Sequence, residues 1–166
     1  MDYLGKITLK TTNAQTNELQ REIFNAAPKA RHQVYKYAHK FLGENDTQTA
    51  WKVWKFMREN INYKKDHPGH QKIYLPSAFL HLRQGDCKSF ATFAAAILGA
   101  LYEKNLFQGL PGYRLTSYQS RTIPSHIFNV VRFPDGRQLL LDGCFYKFNT
   151  EKNPTFAKNV FLNLKK

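Results

Sequence analysis

Three side chains in this sequence have the types that thiol-based acyl transfer requires: Cys87, His126 and Asp142. In such chemistry a thiolate attacks, a histidine takes and returns the proton, and a carboxylate fixes which imidazole nitrogen does so. Cys87 directly follows Gln84-Gly85-Asp86 and opens a run of small and apolar residues that ends near Tyr102. Asp86 is a good N-cap, so the thiol is predicted in the first turn of a helix. There the unpaired N–H groups and the positive end of the helix dipole favour a thiolate and can hold an oxyanion. The Asp86 carboxylate would oppose that thiolate if aimed at the sulfur, and is expected to turn back into the cap. Taken alone, Cys87 reads as a small apolar residue buried at a helix start.

The other two residues decide the matter. His126 opens the apolar run His126–Phe133, and Asp142 closes the run Leu139-Leu140-Leu141. Between them Pro134-Asp135-Gly136 is a turn. If that loop has three residues, Phe133 pairs with Arg137, Phe128 faces Asp142, and His126 faces Cys144. His126 and Asp142 are then diagonal neighbours on one sheet face, within reach of a side-chain hydrogen bond. A two-residue turn would send Asp142 to the opposite face.

Upstream, the elements that must position these residues read as helices. Tyr3–Lys10 alternates and is predicted to be a short strand or an ordered arm. Leu19, Ile23 and Phe24 lie at helical spacing in Thr16–Ala27, and Pro28 is expected to start a second helix that Gly43 ends. Asp46 is the expected N-cap of a third, with Ala50, Val53, Trp54, Met57 and Ile61 as its apolar stripe. Tyr63–Leu75 reads as a loop and Pro76–Leu82 as a short helical turn. The run headed by Cys87 is apolar around nearly its whole circumference and should be buried on most sides. Strands are predicted at Tyr113–Tyr118, His126–Phe133 and Arg137–Asp142, followed by an irregular, wrapping tail over 145–166 anchored by Phe148, Phe156, Val160 and Leu162. Helices first and antiparallel strands after is the α+β order.

Gly85-Asp86-Cys87-Lys88-Ser89-Phe90 heading a small-residue helix, His126 opening a strand and Leu141-Asp142 ending one together resemble the catalytic core of the transglutaminase-like superfamily. Trp54, the Asn62-Tyr63 pair, Asp66 and Pro76 add to the likeness, which covers about 45–150. Pro124-Ser125-His126 and Asp142-Gly143-Cys144 are most similar to small, stand-alone members of bacteria and their phages. The resemblance implies a papain-like fold in which a buried central helix and N-terminal helices pack on a C-terminal antiparallel sheet. It implies one domain over 1–166, with a helical part at 16–44 and a catalytic core near 45–150. It also implies a cysteine peptidase, amidase or acyl transferase with Cys87, His126 and Asp142 as its triad. Gln84 is a candidate oxyanion donor and Lys88 a candidate substrate contact, though a lysine at the second helical position is more often solvated. No calcium-site sequence is evident and no cofactor is expected, which disfavours a calcium-dependent cross-linker.

Composition sets the remaining bounds. At 166 residues, 42% hydrophobic and 14% aromatic, the chain has apolar side chains for one core but not for two. Two cysteines, Cys87 and Cys144, are too few for a disulfide framework or a cysteine-based zinc site. Cys144 is either a small inert residue or a redox partner of Cys87. His67-Pro68-Gly69-His70 has the spacing of a metal pair but reads better as a solvated loop. The formal charge of +13 requires nucleic acid to be weighed as a partner, yet Lys and Arg are scattered from Lys6 to Lys166 instead of forming a stripe. Trp51, Trp54 and Phe56 among lysines have the types that stack on bases, but Trp54 belongs to a core stripe. No apolar run follows a basic start and no membrane span is evident, so a cytoplasmic protein without a membrane partner is expected, virion-associated if phage-encoded. A protein or peptide is the expected substrate. The competing readings are a binding or structural protein, such as a phage assembly component, that retains the fold without turnover, and a basic nucleic-acid binder.

Overall fold

A computed structural model describes residues 6–9, 16–67, 69–119 and 123–166. It has the α+β architecture, built around one helix, α4 (Cys87–Glu103), in which every residue from Lys88 to Leu101 is buried. Two apolar clusters meet on that helix. One joins it to α2 (Asp46–Asn60) and α3 (Pro76–Leu82) through Met57, Phe79, Phe90 and Phe93. The other joins it to α1 (Thr16–Val34) and the sheet through Ile23, Ala91, Ala95, Tyr113, Leu115 and Ile127. Small residues on the sheet side of α4 let the two backbones come close. Asn129 exploits this: its amide donates to the Ala91 carbonyl at 2.9 Å, tying helix to sheet inside the core.

The main sheet is antiparallel in the order β7-β6-β5-β8, from β5 (Leu110–Ser117), β6 (His126–Arg132), β7 (Gln138–Leu141) and β8 (Phe156–Phe161). Two small pairs flank it: β1 (Lys6–Leu9) runs antiparallel to β3 (Gln71–Tyr74), and β2 (Asn62–Tyr63) runs parallel to β4 (Gln84–Gly85). The β6–β7 loop has three residues, because Phe133 N–H donates to Arg137 O at 2.9 Å. Gly136 supplies the positive φ of 87° that such a loop demands. Asn129 accordingly pairs with Leu141, the register that puts His126 and Asp142 on one face.

Four expectations are corrected. Pro28 does not begin a new helix; α1 runs through it. An internal proline costs about 3 kcal/mol, but Ile23, Ala26, Ala27, Ala30 and Val34 share one buried face, and packing that face whole offsets the lost bond. The cap of α2 is Asn45, whose side chain accepts from Gln48 N–H at 2.9 Å, and Asp46 is the first helical residue. The stretch 63–75 is not all loop, since it contributes to β2 and contains β3. The tail is not wholly irregular, since β8 pairs with β5 from Gly112–Phe161 to Ser117–Phe156. These short strands are specified by their partners rather than by their own alternation. Of the predicted Tyr3–Lys10 strand, Lys6–Leu9 is a strand and the rest lies outside the described residues. Among the described residues, no helix is long and apolar enough to cross a membrane.

Candidate active site

Cys87 is the first residue of α4, behind Asp86 as N-cap. The Asp86 carboxylate is turned into the cap, with Oδ1 accepting from Lys88 N–H at 3.2 Å and Oδ2 bound by the Lys88 ammonium. Burial pushes this carboxyl upward, and the Lys88 charge beside it opposes that. Ser89 and Phe90 N–H donate to the Asp86 carbonyl at 3.0 and 3.1 Å. Three of the first-turn amides are therefore engaged by Asp86 itself.

His126 starts β6 opposite Thr116. Its Nε2 lies 2.6 Å from Asp142 Oδ2, and the Cys87 thiol is near enough to the ring to help hold a proton on it. With Nε2 taken by the carboxylate, Nδ1 is the nitrogen left for sulfur. Burial works against a charged imidazole here, but the Asp142 hydrogen bond and then Cys87 outweigh it, so His126 is pushed up to about 10.

Asp142 follows β7 and is held at both ends. Its Oδ1 accepts from Cys144 N–H at 2.9 Å, leaving Oδ2 for the histidine. Its backbone carbonyl accepts from the Trp54 indole at 2.9 Å and from Phe145 N–H at 3.0 Å. Gly143 is required by space: a Cβ there would stand 2.5 Å from Phe90 Cδ1, so a larger residue would drive the Asp142 segment off the helix. Arg58 reaches from α2 to the Gly143 carbonyl at 3.4 Å.

The structure thus brings Cys87, His126 and Asp142 together. Lys88 stands beside them but is not solvated: it is 6% exposed, because Asp86, Asp66 and Gln71 surround its ammonium. Gln84 is in β4 paired with Asn62 and lines neither of the two cavities that meet at His126. Cys144 is a free thiol, pushed up by burial and by Cys87 and Asp142 nearby. His67 and His70 sit in the loop between β2 and β3, where His67 Nδ1 accepts from Gly69 N–H at 3.3 Å.

Two residues had a role beyond the one assigned from sequence. Trp54 is not only a core residue, since its N–H steadies Asp142; the signal was an indole at the edge of an apolar stripe, where its donor needs a partner. Tyr63, half exposed, packs its ring 6.4 Å from Phe90, and its hydroxyl is pushed up by burial, then by Cys87 and Cys144. It borders the thiol site from β2.

On one side of His126 a cavity of about 110 Å³ is walled by Leu19, Ile23, Gln71, Cys87, Lys88 and Leu115. On the other, a cavity of about 420 Å³ is walled by Tyr118, Asp142, Cys144, Phe145 and Lys152. A larger groove of about 1000 Å³, lined by Asn45, Trp51, Phe133, Arg137 and Phe148, contains none of the three convergent residues. Size alone would favour that groove, but Cys87, His126 and Asp142 line the two smaller cavities.

Residues 32–129, a span that includes Cys87 and His126 and stops short of Asp142, match the family model described as a transglutaminase-like domain. A solved structure titled "Crystal structure of a TGase" matches with 16% identity and a TM-score of 0.45, over 89% of this chain. This chain spans 37% of that structure's length. No curated protein matches.

Proposed function

Because the chain belongs to the transglutaminase-like domain family, we propose that it is a cysteine-dependent enzyme acting on amides or peptides, with hydrolysis or transfer to an amine as its outcome. The observation that carries this reading is the position of His126 between Asp142, 2.6 Å from its Nε2, and the Cys87 thiol. In the first half-reaction the Cys87 thiolate bonds to the substrate carbonyl carbon and negative charge moves to the oxygen. Lys88, Ser89 and Phe90 N–H are already bonded to Asp86, so the Cys87 amide is the first-turn donor for that oxyanion. Collapse breaks the C–N bond, the leaving amine takes the proton held at His126 Nδ1, and a thioester remains on Cys87.

In the second half-reaction His126 removes a proton from water or from an amine, which attacks the thioester and restores the thiolate. Asp142 holds the ring and stabilises its charged form throughout. The cavity at the sulfur, about 110 Å³, is the smaller of the two that His126 lines, which suits one small acyl side chain. A p-nitrophenyl ester supplies the test, because its leaving group needs no proton. The expected result is release of nitrophenolate with an acyl mass gain on the Cys87 peptide, absent in Cys87→Ala. Acylation shared equally by Cys87 and Cys144, or unchanged in His126→Ala, would overturn the proposal.

A further inference from the structure

Lys88 is the one buried cation at the head of α4, and the mechanism above gives it no part. Its ammonium donates to Asp86 Oδ2 and to Gln71 Oε1 at 2.9 Å, and pairs with Asp66 Oδ2 at 3.5 Å. These contacts draw the ammonium toward protein acceptors, although Lys88 lines the small cavity together with Cys87 and His126. Asp66 is itself fixed, since its Oδ2 accepts from Lys72 N–H at 2.6 Å. The ammonium thus sits between the buried carboxylate of Asp86, which adjoins Cys87 in the chain, and the partly buried one of Asp66.

Resting on the catalytic reading above, we infer that Lys88 is a positioning residue whose charge lets Asp86 cap α4 beside Cys87 without the cap's negative charge suppressing the thiolate. A carboxylate is the natural cap for a helix N-terminus but the wrong neighbour for a thiolate. A cation bound to its second oxygen keeps the cap and cancels the field. Among the described residues, the other charged or titratable groups near this end of α4 are His126 from β6, Asp142 and Cys144 after β7, Tyr63 from β2, Asp66 in the following loop, and Arg58 from α2. Of the two cations among these groups, Arg58 is directed at the Gly143 carbonyl and Cys144, and His126 is held by Asp142. Lys88 alone of these cations contacts Asp86.

The test is the rate of iodoacetamide labelling of Cys87 at pH 7 relative to pH 9.5, read by peptide mass spectrometry on the full chain. A like charge a few ångströms from a titrating group changes its charged fraction about tenfold or more. Lys88→Gln is therefore expected to lower the ratio about tenfold, Asp86→Asn, which keeps a good cap, to raise it, and the double variant to return it close to wild type. Lys88→Arg keeps the charge and retains most of the wild-type ratio. A purely structural lysine would slow labelling at both pH values alike without rescue by Asp86→Asn, and that outcome overturns the inference. Asp86→Asn keeps the inference falsifiable if Lys88→Gln does not fold, since an unchanged ratio there also overturns it. Wild-type Cys87 labelling no faster than Cys144 at pH 7 would sink the catalytic reading and this inference with it; a reactive wild-type thiol with unresponsive variants would sink the inference alone.

Discussion

The residue that links the proposed chemistry is His126, because its ring lies between the Asp142 carboxylate and Cys87. Asp142 acts on it in two ways: a short hydrogen bond fixes the ring, and the carboxylate charge holds the proton on it. Asp142→Asn keeps the shape and removes the charge. Its expected effects are an acylation rate about 10²–10⁴-fold lower and an NMR titration of His126 that moves from near 10 toward an ordinary histidine value of ~6.5. A His126 titration unchanged by the substitution would show that the carboxylate does not hold the proton. The sequence offered Cys87, His126 and Asp142 as candidates because each opens or closes an apolar segment. The pairing of Lys88 was not legible there: Asp66 and Gln71 belong to a polar stretch whose path only the folded chain reveals.

Among the elements, the β6–β7 hairpin and α2 do most to fix the site. The sequence left the hairpin register open between a two-residue and a three-residue loop; the folded chain takes the second, with Gly136 at the positive φ that ends such a connection. β8 was hidden because it lies at the sheet edge, where exposed Lys158 and half-buried Asn159 disguise the alternation. α1 was misread at Pro28 because local propensity gives no account of the face it buries. The reach of α2 across to Asp142 yields a prediction at this scale. Trp54→Phe preserves most of the ring packing with Phe148 and removes the donor to the Asp142 carbonyl. Phe145 N–H still serves that carbonyl, so the expected loss in stability is at the low end for a buried hydrogen bond, about 1 kcal/mol. The acylation rate should fall further than that loss of stability explains, as the carboxylate loses its fixed aim. Equal acylation rates in Trp54→Phe and wild type would remove Trp54 from the positioning of Asp142.

For the whole molecule, the charged site links catalysis to stability. His126 binds its proton more tightly in the folded protein than in the unfolded chain, so its contribution to stability is complete below the ordinary histidine value of ~6.5. That contribution is lost as pH rises toward about 10. Calorimetric melting temperature should therefore decline between pH 7 and pH 10, and decline less in His126→Gln. Parallel declines in both proteins would mean that His126 is not the linked group. The labelling comparison that separates an active thiol from a buried bystander lies within reach of the same protein, since both cysteines are free. The most direct measurement is the iodoacetamide labelling rate of Cys87 against Cys144 at pH 6 and pH 9, in wild type and in His126→Ala. Fast labelling confined to Cys87 at pH 6, lost in His126→Ala, is the predicted result; equally slow labelling of both cysteines in both proteins would contradict a catalytic Cys87.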